Sequence, residues 1–335
     1  MRKLSLVRNI PLLIGGSFIL LLLLGSILYG LFSDPQEPQK VLLDENNRAI
    51  ALAPFPPSLK FPLGSDLDGN NFVLKILEGA KFTIGLSILI AFLRMIVSFV
   101  GGYVLYLLPS YFRRILDGLA NALHYAPVTI FTYVLIAPVI ISFSWSYDTV
   151  TKIVFPVLVL IFVSVPVLSI YIQNELHLIA KREFIESAKV MGGSRLRIFR
   201  KHMAPFLYPK LFVVFIQQVG QVLIVFAHLG LLNVFIGGSD VRILEYDYDT
   251  GEATIAVFSM SNEWAGLIGQ NFQYISSFPW MVLAPVTAFA LTILAVNCVV
   301  YGLTNRYTYR RRRKRTSESI THHVIREDSF YMKSL

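Results

Sequence analysis

Apolar runs of about 20 residues, separated by short polar or charged stretches, recur along almost the whole chain, and each is long enough to cross a bilayer as a helix. Read this way, the pattern predicts about six spans, over roughly residues 10–32, 82–108, 115–143, 150–172, 206–236 and 280–303. Glycines and prolines inside these runs (Gly101, Gly102, Pro127, Pro138, Pro156, Pro166, Pro285) suit close helix packing and helix breaks. Residues 33–80 are polar and proline-rich, and their end, Phe72–Lys81 (FVLKILEGAK), reads as a short interfacial helix.

Charge then orients the spans. Lysine and arginine gather in alternate segments: Arg2, Lys3 and Arg8 before the first span, Arg113 and Arg114, a block from Lys181 to Lys201, and RYTYRRRRKR after the last. Between them, Gly237–Phe278 carries Asp240, Glu245, Asp247, Asp249, Glu252 and Glu263 against a single arginine, Arg242. By the positive-inside rule both termini are expected on the cytoplasmic side of a cell (inner, cytoplasmic) membrane, and the acidic segment outside. The expected organisation is a tip and first helix (1–32), an outer segment (33–80), a core (81–303) with an inner loop at 174–209 and an outer insertion at 237–280, and a basic tail (304–335).

Composition supports this reading. Hydrophobic residues make up 55% of the chain and charged residues 15%, with a mean hydropathy of +0.60, too little charge to clothe a soluble domain. The net charge of +9 follows topology, so no nucleic-acid partner is expected. Cys298 is the lone cysteine, which excludes a disulfide within the chain. The first apolar stretch is long for a signal peptide and reads as a retained anchor.

The inner loop is the most informative stretch. Leu178–Met191 is rich in helix formers, Gly192-Gly193 supplies a turn, Ser194 is placed to cap a second helix, and Pro205 and Pro209 mark the return to the membrane. Two short helices at the foot of two spans make an L-shaped knob suited to a partner's groove. Glu186-Ser187-Ala188, three residues, Gly192, and Pro205 thirteen positions later resemble the "EAA" loop of ABC importer permeases, in the form found in the dipeptide/oligopeptide family. Ser187 replaces the usual second alanine, and Met203-Ala204 stand where Ile-Leu is usual. Phe61–Asp66 (FPLGSD) resembles the family's "PLGTD" before the second span, with Gly69-Asn70-Asn71 in place of Gly-Arg-Asp, and Asn262–Gly266 (NEWAG) resembles its "EWG" turn.

The resemblance implies an all-α polytopic membrane protein of the type I importer permease class. It implies a second homologous permease, two cytoplasmic ABC ATPase subunits that bind ATP and Mg, and an extracellular solute-binding protein. Glu186, Ala188 and Gly192 would contact the ATPase, within a coupling loop that includes Ser187, Arg195, His202 and Pro205. The basic side chains of that loop suit attraction to the ATPase or contact with lipid phosphates. A peptide substrate is implied; nickel chelates or oligosaccharides are carried by relatives of the same architecture, and a degenerate sensor or assembly subunit is the other reading.

Chemistry is sparse elsewhere. No G-x-x-x-x-G-K-[ST] occurs, so ATP binding by a P-loop is not expected here. No catalytic array and no metal or cofactor site is expected, with His322-His323 read as solvated. Gln217, Gln221 and His228 fall on one face of the fifth span. They read either as lining a translocation pathway or as interhelical hydrogen-bond partners. Arg94, near the middle of the second span, is expected to meet a carbonyl cluster, a partner's acid or a substrate carboxylate.

Overall fold

The computed structural model describes residues 9–33, 38–44, 48–109, 128–142, 146–236, 238–246, 253–259 and 261–331, with the isolated positions 46, 111 and 118. Among them, five helices are long and apolar enough to cross a membrane and one apolar helix is shorter. The long ones are α1 (Ile10–Phe32), α2 (Phe72–Leu107), α4 (Thr149–Ala180), α7 (Ala204–Leu231) and α9 (Trp280–Tyr331). The short one, α3 (Val128–Ala137), runs into a π-helical turn over Pro138–Ser142. Much of the expected third span, including Pro127, lies outside the described residues, as do Arg113 and Arg114 before it.

Phe72–Lys81 is not a separate interfacial helix. It forms the first turns of the 36-residue α2, capped by Asn71, whose side-chain oxygen accepts from the Val73 N–H at 3.0 Å. The continuity has a packing cause. Phe72, Ile76, Ala80 and Ile84 form an unbroken buried stripe, so the helix faces core from its first turn. α2 packs along α4, where Gly102 permits the approach: a Cβ there would lie 2.7 Å from the Ser169 carbonyl oxygen. At the start of α4, the Thr151 hydroxyl donates to the Asp148 carboxylate and holds its pKa below the ordinary value. α1 lies on α9 through Gly15 and Gly302, each too close to its neighbour to admit a side chain.

The segment expected as an acidic insertion contains an antiparallel hairpin. β3 (Ser239–Tyr246) pairs with β4 (Ala253–Ser259), from Ser239 opposite Ser259 to Tyr246 opposite Ala253, with a bulge between Ile243 and Glu245. A smaller hairpin joins β1 (Val41–Leu43) to β2 (Ala49–Leu52). Asp247, Asp249 and Glu252 lie outside the described residues.

After the hairpin comes the short helix α8 (Trp264–Asn271), and Trp264 is the pin of this end of the molecule. Its ring is fully buried, its indole N–H donates to the Ile76 carbonyl at 2.8 Å, and its backbone N–H donates to the Thr83 hydroxyl at 3.0 Å. Phe289 of α9 meets the ring edge-on. Glu263 is buried rather than solvated, its carboxylate accepting the Ile236 N–H at 2.7 Å. One turn thus ties α2, α7, α8 and α9 together. Nearby, the Asp66 carboxylate accepts from the Asp68 and Asn70 backbones at 3.0 and 2.7 Å and pairs with Lys75. Asn70 and Asn71, the departures from the family turn, close that loop and cap α2.

Candidate functional site

The opposite end of the molecule carries the knob. α4 ends at Ala180, and α5 (Glu183–Val190) follows at once. Gly192 then turns the chain with φ +78°, a conformation that favours glycine. α6 (Arg195–Ile198) follows after Ser194, which stands at the N-cap position without a side-chain bond to the backbone. The return to the membrane is not a fresh start at Pro205. α6 passes through a π turn at Phe199–Met203 directly into α7, so Arg195–Leu231 is one continuous path of 37 residues. Pro205 has no N–H to donate back into the preceding turn, and a widened turn accommodates that loss.

Within α5, Ile185 and Ala188 turn inward, the first fully buried and the second almost so. Ala188, implied by the resemblance to contact the ATPase, is thus packed largely against its own chain. The second glycine explains why: its N–H donates to the Ala188 carbonyl at 3.1 Å, and a Cβ on Gly193 would come within 2.8 Å of that oxygen. Gly192, by contrast, has open space around its Cα. Glu186, Ser187, Arg195 and His202 are exposed, as is Pro205. The tip is apolar as well as charged: Val190 and Met191 are 89% and 80% exposed, with Leu196 beside them.

Ring contacts hold the knob in place. Phe184 packs on Phe206 of α7 and Arg182 lies over the same ring at 5.1 Å. Phe199 packs on Tyr103 of α2. Between the end of α2 and the knob lies a cavity of about 630 Å³, lined by Tyr106, Glu186, Lys189 and Arg195 among others. A second cavity of about 650 Å³ opens beside Gln217, where Glu175 of α4 and Lys210 of α7 form an ion pair.

Higher on α7, Gln217, Gln221 and His228 are all exposed and share one face with Ile224. The His228 ring nitrogen Nδ1 lies 3.4 Å from the Thr129 hydroxyl of α3. Arg94 is elsewhere: it is 1% exposed, inside the chain between α2, α4 and α7. Its Nε–H donates to the Leu160 carbonyl at 2.8 Å, and a terminal nitrogen meets the Gln218 side-chain oxygen at 3.5 Å. The carbonyl partner is therefore found within the chain. Sequence reasoning missed Gln218, because a neutral amide carries no charge to mark it as a partner of Arg94. It also missed Val190 and Met191, whose signal was two apolar residues placed just before a glycine turn.

Among the described residues no group of three or more histidine, cysteine or acidic side chains is placed to hold a metal. Five membrane-length helices among the described residues, with an exposed knob between two of them, define a polytopic membrane protein. The family of binding-protein-dependent transport system inner membrane components matches residues 98–313, and this chain belongs to that family. It is the permease subunit of an ABC importer, a multi-pass membrane protein and not an enzyme, working with ATPase and substrate-binding partners. It is 23% identical over 247 residues to the dipeptide transport system permease protein DppC of Alkalihalophilus pseudofirmus, covering 74% of this chain and 71% of that one. It is 24% identical over 279 residues to putative peptide permease proteins of Brucella abortus and Brucella melitensis, covering 82% of this chain and 78% of each.

Proposed function

We propose that this chain forms one half of a peptide translocation pathway, paired with a second homologous permease and driven by two ATPase subunits docked on the knob. The observation that carries the reading is the knob itself. An apolar tip at Val190 and Met191 stands exposed on a short helix that is locked to α4 and α7 by buried Ile185 and the Phe184–Phe206 contact. A surface of that kind, apolar at its centre and charged around its edge, matches the anatomy of a protein interface. The names of its relatives support a peptide as cargo.

In this reading the knob faces the cytoplasm, both termini lie on that side, and the hairpin end meets an extracellular solute-binding protein. ATP closes the ATPase pair, and the knobs of the two permeases are carried together. Because α6 continues unbroken into α7, movement of the knob is transmitted to the membrane helix without an intervening loop. Glu186, Ser187, Arg195 and His202 border the docking surface, while Ala188, Gly192 and Pro205 shape it. The exposed face of α7, with Gln217, Gln221 and His228, lines the pathway between the permeases. Arg94 acts on that face from behind, through Gln218.

Purification of the complex from mild detergent tests the reading. Wild type is expected to bring down a second permease and an ATPase, and Met191→Asp to lose the ATPase while keeping the permease. An ATPase that remains bound to Met191→Asp and Val190→Asp alike would sink the docking assignment. If the wild-type chain brings down neither partner, it is acting outside a complete importer, as a sensor or assembly subunit would.

A further inference from the structure

A buried arginine fixes the hydrogen-bonding polarity of the exposed face of α7. An arginine side chain carries donors only. Where Arg94 meets Gln218, the glutamine must therefore turn its oxygen towards the guanidinium. Its amide nitrogen then points the other way, and it donates to the Gln221 side-chain oxygen at 3.0 Å. With its oxygen engaged, Gln221 has its own amide N–H groups left over, and Gln221 is exposed while Gln218 is buried. Arg94 cannot reverse this arrangement. It is anchored by the Leu160 carbonyl, and the Gly101-Gly102 pair brings α4 close alongside α2.

We infer that Arg94, Gln218 and Gln221 form a directional relay that makes Gln221 a hydrogen-bond donor towards the translocation pathway, where it binds the backbone carbonyl or terminal carboxylate of a passing peptide. Arg94 and Gln218 are positioning residues; Gln221 alone touches cargo. The inference rests on the proposed pathway role of this face of α7. Its chemistry is specific: a free glutamine could offer either end of its amide, whereas this one is held with the donor outward. Substrates that present acceptors in mid-membrane are favoured over those that present only donors.

The test uses the whole importer in proteoliposomes, with Cys298→Ser as background. Ile224→Cys, on the same exposed face beside an intact Gln221, is treated with membrane-impermeant thiol reagents, one anionic and one cationic, with and without ATP plus vanadate. Modification is expected in at least one state, faster with the anionic reagent, and Gln218→Leu in the same chain is expected to abolish that preference. Protection of Ile224→Cys in both states, or a preference indifferent to Gln218→Leu, overturns the relay.

Uptake of tri-alanine supplies the second arm. Gln221→Leu and Gln218→Leu are each expected to raise KM about tenfold, the scale of one lost hydrogen bond. The double variant is expected to match either single one; multiplied effects would show two independent contributions and no relay. Should the wild-type importer ignore tri-alanine while the labelling pattern holds, peptide transport is wrong and the polarity of the face stands.

Discussion

The two ends of the helix bundle are built on opposite plans. At the hairpin end, Trp264 is fully enclosed, both of its N–H groups are bonded to α2, and the Glu263 carboxylate is occupied inside the chain. At the knob end, Val190 and Met191 stand in the open and the charged side chains of α5 and α6 surround them. One end encloses its central aromatic ring among its own residues. The other leaves Val190 and Met191 uncovered by the chain. A residue's function is therefore told less by its type than by whether its own chain has already used it.

Substitutions that attack each end in turn will sharpen this contrast. The largest effect is expected from Trp264→Ala, which removes a buried ring, its indole bond to Ile76 and its contact with Phe289 and costs about 3–5 kcal/mol of stability, visible as a lowered Tm of the purified complex. Asp66→Ala should cost about 2 kcal/mol, because two backbone N–H groups and Lys75 lose their partner at once. At the other end, Gly192→Ala meets no neighbour and pays only for a left-handed backbone, about 1 kcal/mol. Smallest in stability is Met191→Asp, within about 0.5 kcal/mol of wild type, although it should abolish capture of the ATPase. A Tm drop for Met191→Asp comparable to that of Trp264→Ala would erase the distinction between the two ends.

Much of the architecture could be read from the chain because membrane spans announce themselves by length of apolar run alone, with no need to know what each one touches. The knob was readable for the same local reason: helix formers, two glycines and a proline follow one another in order. What escaped depended on facing and on distance. Ala188 was expected at an interface, yet Ile185 and Ala188, three residues apart, define the inner side of a helix only once its neighbours are known. Gln218 lies 124 residues from Arg94 and contributes through an amide rather than a charge. The β3–β4 hairpin was hidden by its acidic composition, which drew attention to charge and away from the alternate β-branched residues Val241 and Ile243, and Ile255 and Val257.

The π turn at Phe199–Met203 has a consequence for the knob's aim. A π turn holds one more residue than the α-helical turn it replaces, and each residue of an α-helix advances the chain by about 100° around the axis. Were the same residues from Arg195 to Leu231 wound as a plain α-helix, that extra residue would swing the knob by roughly a quarter of a revolution about the span. The compass bearing of the docking surface is thus set by a single inserted residue, and the same span with a plain α-helical foot would point its knob at a different neighbour.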